Sequence, residues 1–294
     1  MHIRRTLATA VAALAATTLV ACSSSDSSTE AGSAESSSPI RIGTTDSNLE
    51  EWAIFEELAE EAGYNIKIQN FGDYATPNQA LAEDQLDTNK YQHLKYLAEY
   101  NKGNNTKLVP LASTEIYPLA IFWKDHSDLK GIEGQTVVIP NDSTNQGRAL
   151  LVLKQAGLVE FKDSNILTPT PADLDEAKSK VTVTPVDAAQ TPTGYNEGRP
   201  AIINNSFWGD ANVTIEDALF YDDPNNEEAE PYINVWAVRA DSVDDKALND
   251  LAKLWKDPKV TAAVLESSGN SAIAVDRPRE ELQEILERLE KQSS

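Results

Sequence analysis

Three stretches of the chain place polar and aromatic side chains where a small molecule could be held. The first runs from Asp73-Tyr74 to Tyr96 and carries Tyr74, Tyr91, His93 and Tyr96. On one continuous helix, offsets of two and five residues do not form a single stripe. If the chain arrives as a strand near Asp87–Tyr91 and a helix begins between the rings, they can converge on one cleft. The alternative is that these rings are half-buried core. The second stretch is Pro140-Asn141-Asp142-Ser143-Thr144-Asn145-Gln146-Gly147-Arg148. A strand ends there, a polar turn follows, and a helix starts. A helix N-terminus offers free N–H donors and partial positive charge to a carboxylate. Arg148 adds a planar fork that binds carboxylates bidentately. The bland reading is a capped helix with Arg148 in a surface ion pair. The third stretch, Ile203-Asn204-Asn205-Ser206-Phe207-Trp208, ends an apolar strand in amides. Ligands of open α/β sheets sit beyond such strand ends. Asn204 can accept a hydrogen bond from an ammonium group or donate one to a carboxylate, or serve as an ordinary turn amide.

Catalytic signatures are missing. The sequence has no G-x-S-x-G, Walker A, H-E-x-x-H or G-x-G-x-x-G pattern. Its single cysteine, Cys22, excludes an intrachain disulfide, and three histidines (His2, His93, His126) leave too few ligands for a Cys/His structural zinc site. The formal net charge is −22, which disfavours nucleic acid and anionic lipid surfaces as partners. Neither a cofactor nor a metal is expected.

The elements that must position these residues read as alternating strands and helices, which makes the fold class α/β. Ile40–Gly43 alternates as a strand, Ser47-Asn48-Leu49-Glu50 has the form of a capping box, and a helix follows to Gly63. Ile66–Ile68 is a second strand, so the chain opens as a right-handed β-α-β unit. Helices are expected from Asn78 and over 91–100, with strands at 107–109 and 119–123. A buried strand at 136–139 leads to a helix over 146–156. Strands at 180–186, 201–203 and 233–238 follow, and two helices near 244–256 and 278–291 close the chain. The acidic stretch 222–230 is a plausible connection between lobes.

The first 21 residues carry Arg4 and Arg5 and then a short apolar run, too short to span ~30 Å of hydrocarbon comfortably. They read as a secretory signal that ends in Leu19-Val20-Ala21-Cys22. That ending resembles a bacterial lipobox, in which Cys22 is cut free and lipidated. Loss of residues 1–21 would take the net charge to about −24. Residues 22–38 are then the lipidated cysteine and a Ser-rich tether with a reach of about 20–25 Å.

Ordered motifs carry a family resemblance over residues 40–275. They are DYATPNQAL at 73–81, the D-x-N-x-[FY]-Q-H block from Asp87 to His93, and IYP at 116–118. PNDSTNQGRALLVLKQAGL at 140–158, AIINNSF at 201–207 and PYIN at 231–234 complete the set. The chain resembles the NlpA/MetQ family of methionine-binding lipoproteins. The resemblance implies a two-lobed periplasmic-binding-protein fold of type II, with lobe 1 from 39–122 plus 234–294 and lobe 2 from 123–233. It also implies that Arg148 meets an amino acid's carboxylate with Asn145 nearby. Asn204 would hold the polar backbone end, and Tyr74, Tyr91, His93 and Tyr96 would wall the side chain. Tyr117 and Asn234 match by position. The implied function is non-enzymatic: capture of methionine, L- and D-, at the outer face of the bacterial cytoplasmic membrane. Its implied setting is a monomer anchored through Cys22 that delivers to an ABC permease with a cytosolic ATPase. The sequence departs from the family pattern at Thr44–Leu49, at Tyr91 where Phe is common, at 193–200, at 222–230 and in the extra helix at 278–291. These departures leave open another apolar amino acid, a methionine derivative or a short methionyl peptide. A lipid-anchored hydrolase using His93 with a carboxylate, and a surface interaction protein, are the readings from other classes.

Overall fold

The computed structural model describes residues 38–292 except 164, 165 and 167. The signal segment, Cys22 and the tether as far as residue 37 lie outside the described residues. In chain order the elements begin with β1 (Ile40–Thr44), α1 (Glu50–Glu61), β2 (Ile66–Asn70), α2 (Thr76–Ala82), β3 (Thr88–His93) and α3 (Leu94–Asn104). Then come β4 (Leu108–Ser113), β5 (Glu115–Ile116), β6 (Ala120–Phe122), β7 (Thr136–Pro140), α4 (Ser143–Gln155), β8 (Thr182–Val186) and α5 (Thr191–Asn196). The chain continues through β9 (Ala201–Ile203), α6 (Trp208–Ala211), β10 (Phe220–Tyr221), β11 (Asn234–Arg239) and α7 (Lys246–Leu254). It ends with α8 (Pro258–Ser267), β12 (Ile273–Ala274) and α9 (Arg279–Gln292).

Two five-stranded sheets form the two lobes. The first has the order β2-β1-β3-β11-β4, and the second, read from its far edge, β8-β7-β9-β6-β10. The orders are equivalent. Each sheet has a parallel βαβ core, and each is completed by one antiparallel strand that has just arrived from the other lobe: β11 in the first, β6 in the second. The chain therefore crosses between lobes twice, at 117–119 and at 222–233. The expected boundary at residue 122 is corrected here. Ala120–Phe122 pairs with β9 and β10, so it belongs to the second sheet. All three side chains are fully buried, which is why the segment reads as a strand without revealing its sheet.

Three local expectations also change. The Ser47 capping box does not form: α1 starts from Leu49 with no side-chain cap, and the Ser47 N–H donates to Asn70 Oδ1 at 3.1 Å. Residues 91–93 are strand rather than helix, because β3 is buried along its whole length and α3 begins only at Leu94. An additional helix, α8, lies between the two expected closing helices. Its Pro258 looks like a breaker but occupies the first turn, where a missing N–H costs nothing, and Asp257 caps it.

The first lobe buries charge as well as hydrocarbon. Trp52, Phe55, Trp236 and Trp255 pack edge-on and tilted around one another, with centroids 4.6–6.2 Å apart. Beside them Lys90 Nζ lies 3.3 Å from Glu115 Oε2 and 4.4 Å from the Trp255 ring centre. Glu115 Oε1 accepts from Trp255 Nε1 at 2.7 Å, and buried Asp46 accepts from Trp52 Nε1 at 2.8 Å. Glu51 is 1% exposed, and one of its oxygens has no hydrogen-bond partner among the described residues. Burial raises its pKa from 4.5 to about 7, against the opposing pull of Lys90.

Removing one member of a buried ion pair strands the other, so Lys90→Met is expected to cost about 3–5 kcal/mol in urea unfolding. Glu51 behaves oppositely to a salt-bridged acid. Because its folded pKa lies above its unfolded value, it supports the fold fully below about pH 4.5 and loses that contribution as pH rises through 7. The wild-type unfolding midpoint should therefore fall between pH 5.5 and 8.5. Glu51→Gln should flatten that fall, and an unaltered slope in the variant would remove Glu51 as its cause.

Candidate functional site

The carboxyl ends of the parallel strands in both sheets supply the site. Tyr74 follows β2, His93 ends β3, Asp142 to Arg148 follow β7, and Asn204 follows β9. These residues line one narrow hollow with a cavity volume of about 30 Å³. All nine residues singled out in the sequence line it: Tyr74, Tyr91, His93, Tyr96, Tyr117, Asn145, Arg148, Asn204 and Asn234. Gln92, Pro118, Leu119 and Asn205 line it too.

The aromatic wall depends on the break between β3 and α3. Tyr91 and His93 project from the strand, and Tyr96 comes from the first turn of the helix. His93 is the hinge of this arrangement, since its Nδ1 accepts the Tyr96 N–H at 3.1 Å and so caps α3. The Tyr91 and Tyr96 hydroxyls both donate to the Tyr74 carbonyl, at 3.1 and 2.8 Å. Ring centroids of Tyr74, Tyr91 and Tyr96 lie 5.9–6.2 Å apart. Phe207 of the second lobe packs on Tyr74 at 5.1 Å. Burial raises all three phenol pKa values, so the wall presents neutral hydroxyls. Beneath it Asn78, Asn89 and Gln92 exchange buried side-chain amide hydrogen bonds of 2.6–3.0 Å, which fix the depth of β3.

The polar end is built on α4. Asp142 caps the helix by accepting from the Asn145 N–H and the Thr144 hydroxyl, both at 2.9 Å. The helix N-terminus is therefore occupied by the chain's own carboxylate and is not the open anion site considered above. Asn145 Nδ2 also donates to Asp142, which leaves its Oδ1 to accept from Asn204 Nδ2 at 3.0 Å and from His93 Nε2 at 3.4 Å. Asn204 Oδ1 is buried, lies in a residue that lines the hollow, and has no hydrogen-bond partner among the described residues. An unmet buried acceptor costs roughly 1–3 kcal/mol until a donor arrives.

Arg148 is 5% exposed and paired, but in the interior rather than at the surface. Its Nε donates to Asp222 Oδ2 at 2.7 Å, and its Nη2 donates to Asp222 Oδ1 at 3.1 Å and to the Tyr117 carbonyl at 2.8 Å. The guanidinium carbon sits 4.1 Å from the centre of the Tyr232 ring, a cation–π distance. Sequence reasoning missed Asp222 and Tyr232. Tyr232 stood inside the quoted PYIN motif, and Asp222 opened the acidic stretch read as a connection, so the signal for each was position rather than residue type. Asn234 enters beside His93 because the β11–β3 register pairs the two residues.

His93 is not arranged as a general base. Burial, with the Arg148 charge adding to it, lowers its pKa to about 3. Nδ1 is an acceptor, so the proton resides on Nε2, which faces the Asn145 amide rather than a carboxylate.

Two lobes whose strand ends meet over a polar and aromatic hollow define a two-lobed type II ligand-binding protein. The chain belongs to the NlpA lipoprotein family, which matches residues 40–275. A Haemophilus influenzae relative, a probable D-methionine-binding lipoprotein, is 35% identical over 204 residues, 68% of this chain and 73% of the relative. Among solved structures, a nutrient binding protein from Burkholderia cenocepacia bound to methionine is 30% identical with a TM-score of 0.73, covering 80% of this chain and 99% of its own. The substrate binding protein of a methionine transporter from Streptococcus pneumoniae is 26% identical with a TM-score of 0.74, covering 81% and 95%.

His93 should remain neutral throughout the physiological range. Its folded pKa lies below its ordinary value of 6.5, so its contribution to stability is complete above about pH 6.5 and is lost progressively as pH falls toward 3. Nitrogen NMR should find the Nε2–H tautomer without titration between pH 8 and 5. A titration midpoint near 6.5 in the folded protein would contradict the buried geometry.

Proposed function

We propose that this protein captures methionine, L- and D-, outside the cytoplasmic membrane and delivers it, without catalysis, to an ABC permease driven by a cytosolic ATPase. The observation that carries the reading is the pairing of two unlike ends in one hollow. Arg148 and the unpartnered Asn204 Oδ1 stand at the polar end, and Tyr74, Tyr91 and Tyr96 stand at the other. The ligand's ammonium donates to Asn204 Oδ1. Its carboxylate meets the Nη1 edge of Arg148, for which no hydrogen bond is found among the described residues. The thioether lies among the rings, where each sulfur–aromatic contact contributes about 0.3–1.5 kcal/mol. Lobe closure removes water from the zwitterion, which raises the value of every matched polar contact. The names of the relatives support this ligand. Cys22 is the proposed lipid anchor after removal of residues 1–21. Residues 23–38 tether a monomeric two-lobed body to the outer face of the membrane.

Mass spectrometry of small molecules released from freshly purified, denatured protein should find methionine. Calorimetry on stripped protein should show tight binding without ligand turnover. Arg148→Ala is expected to cost about 2–5 kcal/mol in binding, since it removes a buried charged partner. Asn204→Ala should weaken binding with the unfolding midpoint retained. Unchanged affinity in both variants would move the ligand out of this hollow.

A further inference from the structure

The arginine at the polar end does not carry a free charge. Of its five N–H donors, three are already committed: Nε and one Nη2 proton to the two oxygens of Asp222, and the second Nη2 proton to the Tyr117 carbonyl. The side-on fork that usually grips a ligand carboxylate is filled by the protein's own carboxylate. Asp222 is itself fixed. Its Oδ1 accepts the Leu119 N–H at 2.8 Å, and its own N–H donates to the Leu119 carbonyl at 3.3 Å. One residue thus joins the two interlobe crossovers to each other and to α4. Around the polar end Arg148 is balanced by Asp222 and His93 is neutral, while Asp142 at the head of the same helix and Lys95, whose Nζ lies 6.0 Å from the Tyr232 ring, add one charge of each sign.

We infer that Asp222 is the residue that sets the charge selectivity of the site. It cancels the Arg148 charge and confines a ligand carboxylate to the Nη1 edge, so that a zwitterion is accepted while a carboxylate lacking the ammonium is refused. The inference rests on the proposed ligand and assigns it a discriminating partner. A monoanion entering this hollow would meet a neutralised arginine and would leave Asn204 Oδ1 without a donor. A zwitterion brings that donor. Asp222 touches Arg148 rather than the proposed ligand position, so it is a positioning residue.

The test compares two probes, methionine and 4-(methylsulfanyl)butanoate, which is methionine without its ammonium. Calorimetry on stripped full-length protein gives the Kd ratio of butanoate to methionine for wild type, Asp222→Asn and Asp222→Glu. Asp222→Asn keeps an oxygen for the Leu119 N–H and removes the charge, so the ratio should fall at least tenfold, chiefly through tighter butanoate binding. Asp222→Glu keeps the charge and should stay nearer the wild-type ratio. A merely structural role would weaken both probes in parallel, so a ratio within twofold of wild type in folded Asp222→Asn overturns the inference. Should Asp222→Asn not fold, Asp222→Ser is read in the same way. Failure of both neutral variants to fold also overturns it, since Asp222 would then be a determinant of the fold. Absence of methionine binding by wild type in the same titration is a different result, and it defeats the proposed ligand itself.

Discussion

The contact on which the rest of the molecule turns is the side-on pairing of Arg148 with Asp222 over the face of Tyr232. A buried guanidinium is tolerated when most of its donors are met, and here three of the five meet acceptors on both crossover segments. The Tyr117 carbonyl lies on the outgoing crossover, and Asp222 and Tyr232 lie on the returning one. The same guanidinium reaches the ligand hollow. One side chain therefore belongs both to the candidate site and to the bonding that joins the two crossovers.

The two lobes contribute different things to this arrangement. The first supplies a rigid aromatic wall whose position is fixed by buried amides under β3 and by the His93 cap on α3. The second supplies the polar groups, each held by a capped helix start or a strand end. Contacts already join the lobes: the Thr45 and Ser206 hydroxyls lie 3.3 Å apart, and Lys95 Nζ lies 3.4 Å from Thr168 Oγ1. The ring of Phe207 against Tyr74 adds an apolar contact between them at the edge of the hollow.

Much of the site was legible in the sequence because its residues cluster at strand ends, where apolar runs stop abruptly in amides and aromatics. Tyr74, Asn145, Arg148 and Asn204 stand out for that reason. What periodicity could not convey was partnership across long sequence separations. Asp222 looks like any other acid in a chain of 47 acids until β10 and the crossover bring it beneath α4, 74 residues from its partner. Nothing in the local pattern pairs Lys90 with Glu115, yet both are buried against Trp255. The sheet to which Ala120–Phe122 belongs was equally hidden, because a three-residue apolar strand has no feature that distinguishes one buried sheet from another. The matching strand order of the two lobes leaves no fixed-period repeat in the sequence, since it is a repeat of topology.

The junction at His93–Leu94 has a consequence for how this wall can vary. Side chains before it alternate across a pleated strand, whereas those after it advance by about 100° per residue around a helix. Tyr91 and Tyr96 therefore answer to different geometric clocks, kept in phase by a single imidazole. Any insertion or deletion at that seam would rotate Tyr96 away while leaving Tyr91 in place. The five-residue interval between them is in effect a phase setting, and it is locked, because Leu94, Leu97 and Ala98 on the same helix would turn out of the first lobe's hydrocarbon interior together with Tyr96.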